Sequence, residues 1–387
     1  MERYLKSHII KDLQRGMVFI GGPRQVGKTT LALDFLPMDP KTEENSYYFT
    51  WDSSLDQKRL LDEELPSGKG VIILDEVHKF QQWRNLVKGL YDKNKYRKQF
   101  IVTGSAKLDY YSRGGDSLQG RYHYYRLHPL TLDEIGASNL NRLLEYGGFP
   151  QPYLEQDKIQ WARWQKERKR RVVYEDLQSL ENVKDLSKID LLVTLLMHRV
   201  GSLLSINGLR EDLQSSFDAI DRWIQILENL YYCYRIGPFA LNEFKGLKKE
   251  KKCYLWDWSL ITDPEQKGAK WENFVAGHLL KYCHWREDVF GENINLHYLR
   301  DMEKREIDFL VTKDNIPQFA VECKYGAQKI SPHIEYFSKR LDIPYFYQIF
   351  KDFDDPSKNI ATEMENGRIQ KMPFSQFWNN LVAREPD

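Results

Sequence analysis

The chain opens with an alternation of short apolar runs and longer amphipathic stretches. Met17-Val18-Phe19-Ile20 is an unbroken apolar run of strand length, and Thr30 to Leu36 carries helical spacing directly after it. Further strands are predicted at 45–52, 70–75, 99–103 and 122–128, with helices over 55–65 and 82–94 between them. Apolar strands separated by helices predict a mostly parallel sheet covered on both faces, the α/β class. From about 137 to 200 the pattern turns helical and charged, and Leu203 to Cys233 holds two more helical stretches. In the second of these, Ile220, Trp223, Ile224, Leu227 and Leu230 make one apolar face behind a Ser216 cap. Tyr231 to Ile236 and Cys253 to Trp256 then read as strands joined by a lysine-rich segment. The last third runs helix (271–280), strands (Ile294–Leu299, Glu306–Val311, Phe319–Cys323), helix (332–341) and strand (Tyr345–Phe350). Three regions are expected: 1–136, 137–260 and 261–387.

Composition sharpens this only in part. A chain of 387 residues is too long for one core. The 57 basic and 56 acidic residues nearly cancel, so any surface for nucleic acid must be local. Cys233, Cys253, Cys283 and Cys323 are far apart with no C-x-x-C pair, which excludes a disulfide framework or zinc site and fits reduced thiols. No stretch approaches ~18 uninterrupted apolar residues and the first residues lack a signal-peptide core, so the expectation is a cytoplasmic protein without membrane attachment.

Two segments carry chemistry. Gly22, Pro23, Arg24, Gln25, Val26, Gly27, Lys28 and Thr29 fit the G-x-x-x-x-G-K-[ST] pattern between a strand and a helix, the context that pattern requires. With Thr30 they are the expected nucleotide-binding set. Backbone N–H groups cradle the phosphates, Lys28 neutralises β/γ oxygens and Thr29 ligates Mg²⁺, so ATP and Mg²⁺ are the expected cofactors. The run Val71 to Leu74 delivers Asp75 toward that metal, and Glu76 follows as general base for the attacking water. His78 reads as a loop residue. Phe100 to Thr103 ends in Gly104-Ser105 at the sheet's carboxyl edge, where Thr103 or Ser105 either senses the γ-phosphate or caps a turn. Arg121, closing the glycine-rich 112–120 segment, either reaches a γ-phosphate or is a solvated loop arginine. If it reaches one in a neighbouring subunit, the protein is an oligomer.

These strings, with Leu118-Gln119-Gly120-Arg121 and Leu127-His128-Pro129-Leu130-Thr131-Leu132-Asp133-Glu134, resemble the AAA-type ATPase domain of a large bacterial and archaeal family. Its members join that domain to a C-terminal domain of uncharacterised function. The resemblance continues through Gly147-Gly148-Phe149-Pro150 and spans nearly the whole chain. It implies a P-loop AAA-type parallel sheet, and members of that family carry a winged helix in the middle region.

The middle region fits that order by its own pattern: helix, turn, helix, basic hairpin. Lys248, Lys249, Lys251 and Lys252 at the hairpin are expected phosphate contacts on DNA, whereas Asp218, Asp221 and Glu228 on the second helix suit packing or protein docking. Arg163, Lys166, Arg168, Lys169, Arg170 and Arg171 form either a solvated helix face or a phosphate-contacting one. The α-β-β-β-α-β order of the last third resembles the PD-(D/E)xK core of restriction-type nucleases. Strand alternation puts Glu322 and Lys324 on one face. With Asp308 and Glu322 as ligands of Mg²⁺ or Mn²⁺, Lys324 orients the water and Glu272 completes the acidic pocket. The competing reading is a same-face ion pair in a fold that binds without cutting.

The expectation is an Mg²⁺-dependent ATPase whose cycle controls a C-terminal DNA-binding, nuclease-like module. The rival is a nucleotide-controlled switch that docks a protein partner through an inactive nuclease-like fold. Neither involves a membrane.

Overall fold

Five short strands organise the first unit, Met1–His128: β1 Met17–Gly21, β2 Tyr48–Thr50, β3 Gly70–Asp75, β4 Lys98–Thr103 and β5 Tyr122–Arg126. The structure is a computed structural model that describes residues 1–36, 47–104, 118, 120–176, 185–239 and 250–383. The strands are parallel in the order β2-β3-β4-β1-β5, so β1 lies between two strands that follow it late in the chain. β1 is buried at every position and β3 over its last four, which is why their sequences read as continuous apolar runs and not as alternation. The helices Lys28–Leu33, Ser54–Leu61 and Trp83–Asn94 connect them. Ser53 Oγ caps the second by accepting the Asp56 N–H.

The parallel register brings the carboxyl ends into line. Ile20 pairs with Thr103, Thr103 with Asp75, and Asp75 with Thr50. The loop after β1 therefore opens beside the ends of β4 and β3, where open parallel sheets bind ligands.

The second unit, Pro129–Asp387, combines helices, a two-stranded hairpin and a six-stranded mixed sheet. The helix Leu186–His198, the pair Ile206–Leu213 and Phe217–Asn229, and the hairpin β6 (Cys233–Ile236) and β7 (Lys252–Leu255) follow one another. Ser216 Oγ accepts the Ala219 N–H, as the cap reading required. The sheet comprises β8 Ile294–Arg300, β9 Glu306–Lys313, β10 Ile316–Lys324, β11 Tyr345–Phe350, β12 Thr362–Met364 and β13 Ile369–Pro373, in the order β12-β13-β11-β10-β9-β8. β12, β13 and the helix Phe374–Val382 were not predicted by pattern.

One buried cluster runs from Leu130 through the helices and hairpin to Leu381, so the middle and last thirds of the chain share a core. Its axis is the helix Lys267–Phe290, which buries Trp271, Phe274, Val275, His278, Leu279, Tyr282 and Cys283 at helical spacing. Asn273 on this helix donates to Leu255 O (2.7 Å) and accepts from Leu255 N–H (2.8 Å), sealing the hairpin's edge. Among the described residues no helix is long and apolar enough to cross a membrane.

His278 is fully buried on this helix. Its Nε2 accepts the Leu132 N–H (3.2 Å), which leaves Nδ1 to donate to Phe274 O (2.8 Å). Burial, aided by Lys281, holds its pKa down to about 3 from an ordinary 6.5. The folded ring is neutral while the unfolded one takes up a proton, so stability is present above 6.5 and is lost as pH falls from there. The expected loss from this group between pH 7 and pH 5 is about 2 kcal/mol. Urea unfolding across that range should show His278→Gln with a correspondingly flatter pH dependence, and a His278 resonance titrating near 6.5 would contradict the assignment.

Candidate functional site

The loop between β1 and the helix Lys28–Leu33 has the backbone its glycines allow. Gly22 has φ 136° and Gly27 has φ 98°. A Cβ at Gly22 would stand 2.4 Å from Leu127 O, so both conformation and space demand glycine there. Lys28 is only 6% exposed, and its Nζ donates to Pro23 O (2.6 Å) and Gly22 O (3.0 Å), which holds the ammonium over the loop. From the other side Arg3 donates Nη1 to Val26 O (2.7 Å) and Nη2 to His128 O.

Asp75 is the hub of the site. Its Oδ2 accepts the Thr29 hydroxyl (2.9 Å) and the Tyr48 phenol (2.8 Å), and its Oδ1 accepts the Thr103 hydroxyl. Four segments thus meet at one carboxylate that is 6% exposed. Burial and the neighbouring carboxylate push the Tyr48 phenol well above its ordinary pKa. The pairing of Thr103 and Tyr48 with Asp75 went unread in the sequence. By sequence Thr103 reads as a phosphate sensor or turn cap, and Tyr48 carries no motif. The set fits Mg²⁺: Thr29 Oγ1 and Asp75 Oδ2 are hard oxygen donors at the head of the loop, and such sites supply one or two carboxylates and leave the rest to phosphates and water.

Glu76 follows with φ 55°, a left-handed backbone rare outside glycine, and its N–H bonds to Thr103 O (3.1 Å). Burial raises its carboxyl pKa, against the pull of Lys28, Lys79 and Arg24. His78, read from sequence as a loop residue, is buried with Nε2 3.6 Å from Glu76 Oε2, and burial lowers its pKa to about 4. It is a neutral neighbour of Glu76.

Arg121 is not brought to this edge. Its carbonyl accepts the Met17 N–H at the opposite end of β1, about five residues or ~17 Å from the loop, and its guanidinium pairs with Asp92 (3.1 Å). Within its own chain Arg121 is a partner of the Trp83–Asn94 helix. Ser105 lies outside the described residues.

The second cluster of predicted residues is assembled in the C-terminal unit, with an addition. β9 and β10 run antiparallel, and the pairing of Phe309 with Val321 sets Asp308 beside Glu322. Asp308 Oδ2 accepts the Cys323 N–H (2.8 Å), and Lys324 Nζ donates to Glu322 Oε1 (2.7 Å), the same-face pair expected from alternation. Glu272 comes from the Lys267–Phe290 helix. Lys252 enters this group: its Nζ lies 3.0 Å from Glu272 Oε1, 2.6 Å from Glu306 Oε1 and 3.5 Å from Asp308 Oδ1. Tyr254 OH also donates to Glu272 Oε1 (2.7 Å). Burial and the Asp308 charge raise the carboxyls of Glu272 and Glu322 to about 7. The carboxylates hold Lys252 protonated against its burial.

This corrects the placement of Lys252 on a DNA-facing wing: it is 2% exposed and points into the protein. Lys248 and Lys249 lie outside the described residues. Arg168 also leaves the basic face, since it is buried against Asp257 (3.7 Å) and over the Phe149 ring. The acidic residues do not fit a metal ion as they are arranged, because an ammonium stands among them. Among the described residues no group of three or more His, Cys, Asp or Glu side chains is disposed to hold one.

Comparison with known proteins assigns the segments unequally. Residues 14–136 match a family model described as an AAA domain, 137–264 a domain of unknown function (DUF8612), and 267–353 a second domain of unknown function (DUF4143). An uncharacterized protein of Mycobacterium tuberculosis is 26% identical over 316 residues, covering 78% of this chain and 68% of its own length. An uncharacterized protein of Methanocaldococcus jannaschii is 22% identical over 380 residues, covering 82% and 77%. Among solved structures, AMPPCP-bound DnaA from Aquifex aeolicus is 13% identical, covers 58% of this chain and 86% of its own, and superposes with a TM-score of 0.31. Matched model, parallel sheet and phosphate loop agree on the first unit, which carries an AAA-type, ATPase-like nucleotide-binding domain.

Proposed function

We propose that this chain is an Mg²⁺-dependent ATPase whose nucleotide state controls its C-terminal unit. The observation that carries the reading is the convergence of Thr29, Tyr48 and Thr103 on Asp75 at the mouth of a lysine-bearing loop, with Glu76 next in the chain. Thr29 and Asp75 would hold the metal, which when bound supplies charge stabilisation at the phosphate oxygens. The loop N–H groups and the start of the following helix receive the β-phosphate, and Lys28 exchanges its carbonyl partners for phosphate oxygens. Glu76 accepts the proton as water oxygen bonds to the γ-phosphorus and the bond to the β–γ bridging oxygen breaks, giving ADP and phosphate. Its desolvated carboxylate, raised by burial against the pull of Lys28, suits a general base.

Arg3 supports the control step. Its guanidinium joins the phosphate loop, at Val26 O, to His128 O, the last residue before the C-terminal unit. A change in the loop on binding phosphate therefore reaches the exit of the chain through one side chain. Arg121, paired with Asp92 in its own chain, would contact a γ-phosphate only from a neighbouring copy.

The acidic pocket favours the second reading for the C-terminal unit. With Lys252 among Glu272, Glu306 and Asp308, this unit acts by docking a partner and not by cutting DNA. The helix–helix–hairpin order supports a winged helix. Arg163, Lys166 and Arg170 remain exposed on the Lys158–Arg170 helix as a local basic surface.

Lys28→Ala should abolish ATP binding, and Glu76→Gln should retain binding while lowering turnover by about 10²-fold or more, measured by calorimetry and phosphate release. Unchanged hydrolysis in both would refute the assignment. ATP should also alter amide exchange within residues 129–387 of the wild type, and Arg3→Met should diminish that response while hydrolysis continues. Identical exchange with and without nucleotide in the wild type would remove the control step. Supercoiled DNA incubated with the protein and Mn²⁺ should remain unnicked.

A further inference from the structure

The C-terminal unit holds a cavity of about 220 Å³ that is separate from the acidic pocket. It lies at the start of β10, at Gln318 and Phe319, whereas Glu322 and Lys324 lie at that strand's end. From the core helix it takes Tyr282 and Arg286, which stand roughly 15–21 Å along the axis from Glu272. Phe319, Tyr282 and Tyr345 supply ring surface, and Val311 and Leu381 add aliphatic surface.

Arg286 and Lys313 make the polar wall, and one carboxylate positions both. Glu292 accepts from Arg286 Nε (2.5 Å) and Nη2 (2.6 Å) and from Lys313 Nζ (3.0 Å). The Arg286 bond holds the Glu292 carboxyl below its ordinary range. Two cations thus share one anion, and these three groups carry a net charge of +1. Arg286 is buried and donates its remaining nitrogen to Tyr282 OH (3.3 Å). Lys313 is partly exposed, and its ammonium has three N–H groups to place. Gln318 joins this wall through a backbone irregularity. β9 and β10 pair Pro317 with Thr312 and Phe319 with Val311, so Gln318 is the extra residue of a bulge. Regular alternation would turn it away from the face of Phe319, yet both line the cavity.

We propose that this cavity is a binding site for a small aromatic carboxylate, with the ring against the aromatic wall and the carboxylate on Lys313 beside Gln318. Size selects the class of ligand. A cavity of about 150 Å³ takes up benzene, so one of about 220 Å³ has room for a single ring with its carboxylate and none for a nucleotide. The excess positive charge selects an anion, and the three ring side chains select a flat apolar body. Arg286 stays with Glu292 and keeps the wall in place, while Lys313 makes the charge-assisted bond to the ligand.

The test uses the full chain without nucleotide, so its outcome is separate from the assignment of ATP hydrolysis. Benzoate is the probe, and benzyl alcohol and acetate supply the ring without the charge and the charge without the ring. Titration calorimetry at fixed salt should show saturable benzoate binding to the wild type with a Kd below ~1 mM, and each partial probe binding at least ~10-fold more weakly. Lys313→Met should weaken benzoate by about 10-fold, and Lys313→Glu or Gln318→Glu should abolish it. Both positions are partly exposed, so circular dichroism should show the wild-type fold in each variant. The proposal is overturned if the wild type shows no saturable binding up to ~10 mM benzoate, if binding survives either glutamate substitution, or if acetate binds as tightly as benzoate.

Discussion

A carboxylate withdrawn from water costs several kcal/mol unless its oxygens are met by donors, and Asp75 imposes that constraint on the whole first unit. The donors come from the phosphate loop, β2 and β4, so the condition for burying the charge is that these segments end at the same level. Register, loop position and site geometry are then one requirement. The donors are hydroxyls, which satisfy the oxygens without cancelling the charge. The carboxylate oxygens are thus held at the head of the phosphate loop by neutral donors.

The C-terminal unit meets the same constraint with the opposite chemistry. Glu272 and Asp308 are met by an ammonium, which satisfies and neutralises together. Removing one partner of such a buried group is typically worth about 3–5 kcal/mol, because the charges left behind have no solvent to turn to. The interaction therefore ties β7 to the helix and β9 more firmly than its contact area alone. The same charge neutralisation leaves no carboxylate pair free for a metal. The two acidic clusters thus differ by the kind of donor that folding brings to them.

Much of this was legible where the determinant is local. β1, β3, β4 and β11 are buried along most or all of their length and read as apolar runs, and the glycines of the loop are fixed by a pattern of eight residues. The Ser216 cap and the Asp308–Glu322–Lys324 placement follow from helical and strand periodicity. Elements with no burial pattern were not legible: β12 is exposed at all three positions, and β13 is too short to declare a period. Charged residues in runs misled for a related reason. Arg168 sits in a basic helix, but only the residues it meets, Asp257 and Phe149, distinguish it from its exposed neighbours. Arg121 carried a motif's promise, and its position at the amino end of β5 settled its partner.

Lys252 is the instructive case, because a signal was present. It ends a lysine-rich segment, which suggested a solvated tip, yet it is also two residues before Tyr254 at the start of a strand. Alternation puts those side chains on one face, and Tyr254 is fully buried. A strand whose second same-face residue is in the core draws the first inward as well, and a long ammonium drawn inward must find carboxylates. Glu272 meets both the phenol and the ammonium. The parity of a single strand thus separates a lysine that greets solvent from one that completes an acidic pocket, and it decides which reading of the C-terminal unit the chemistry favours.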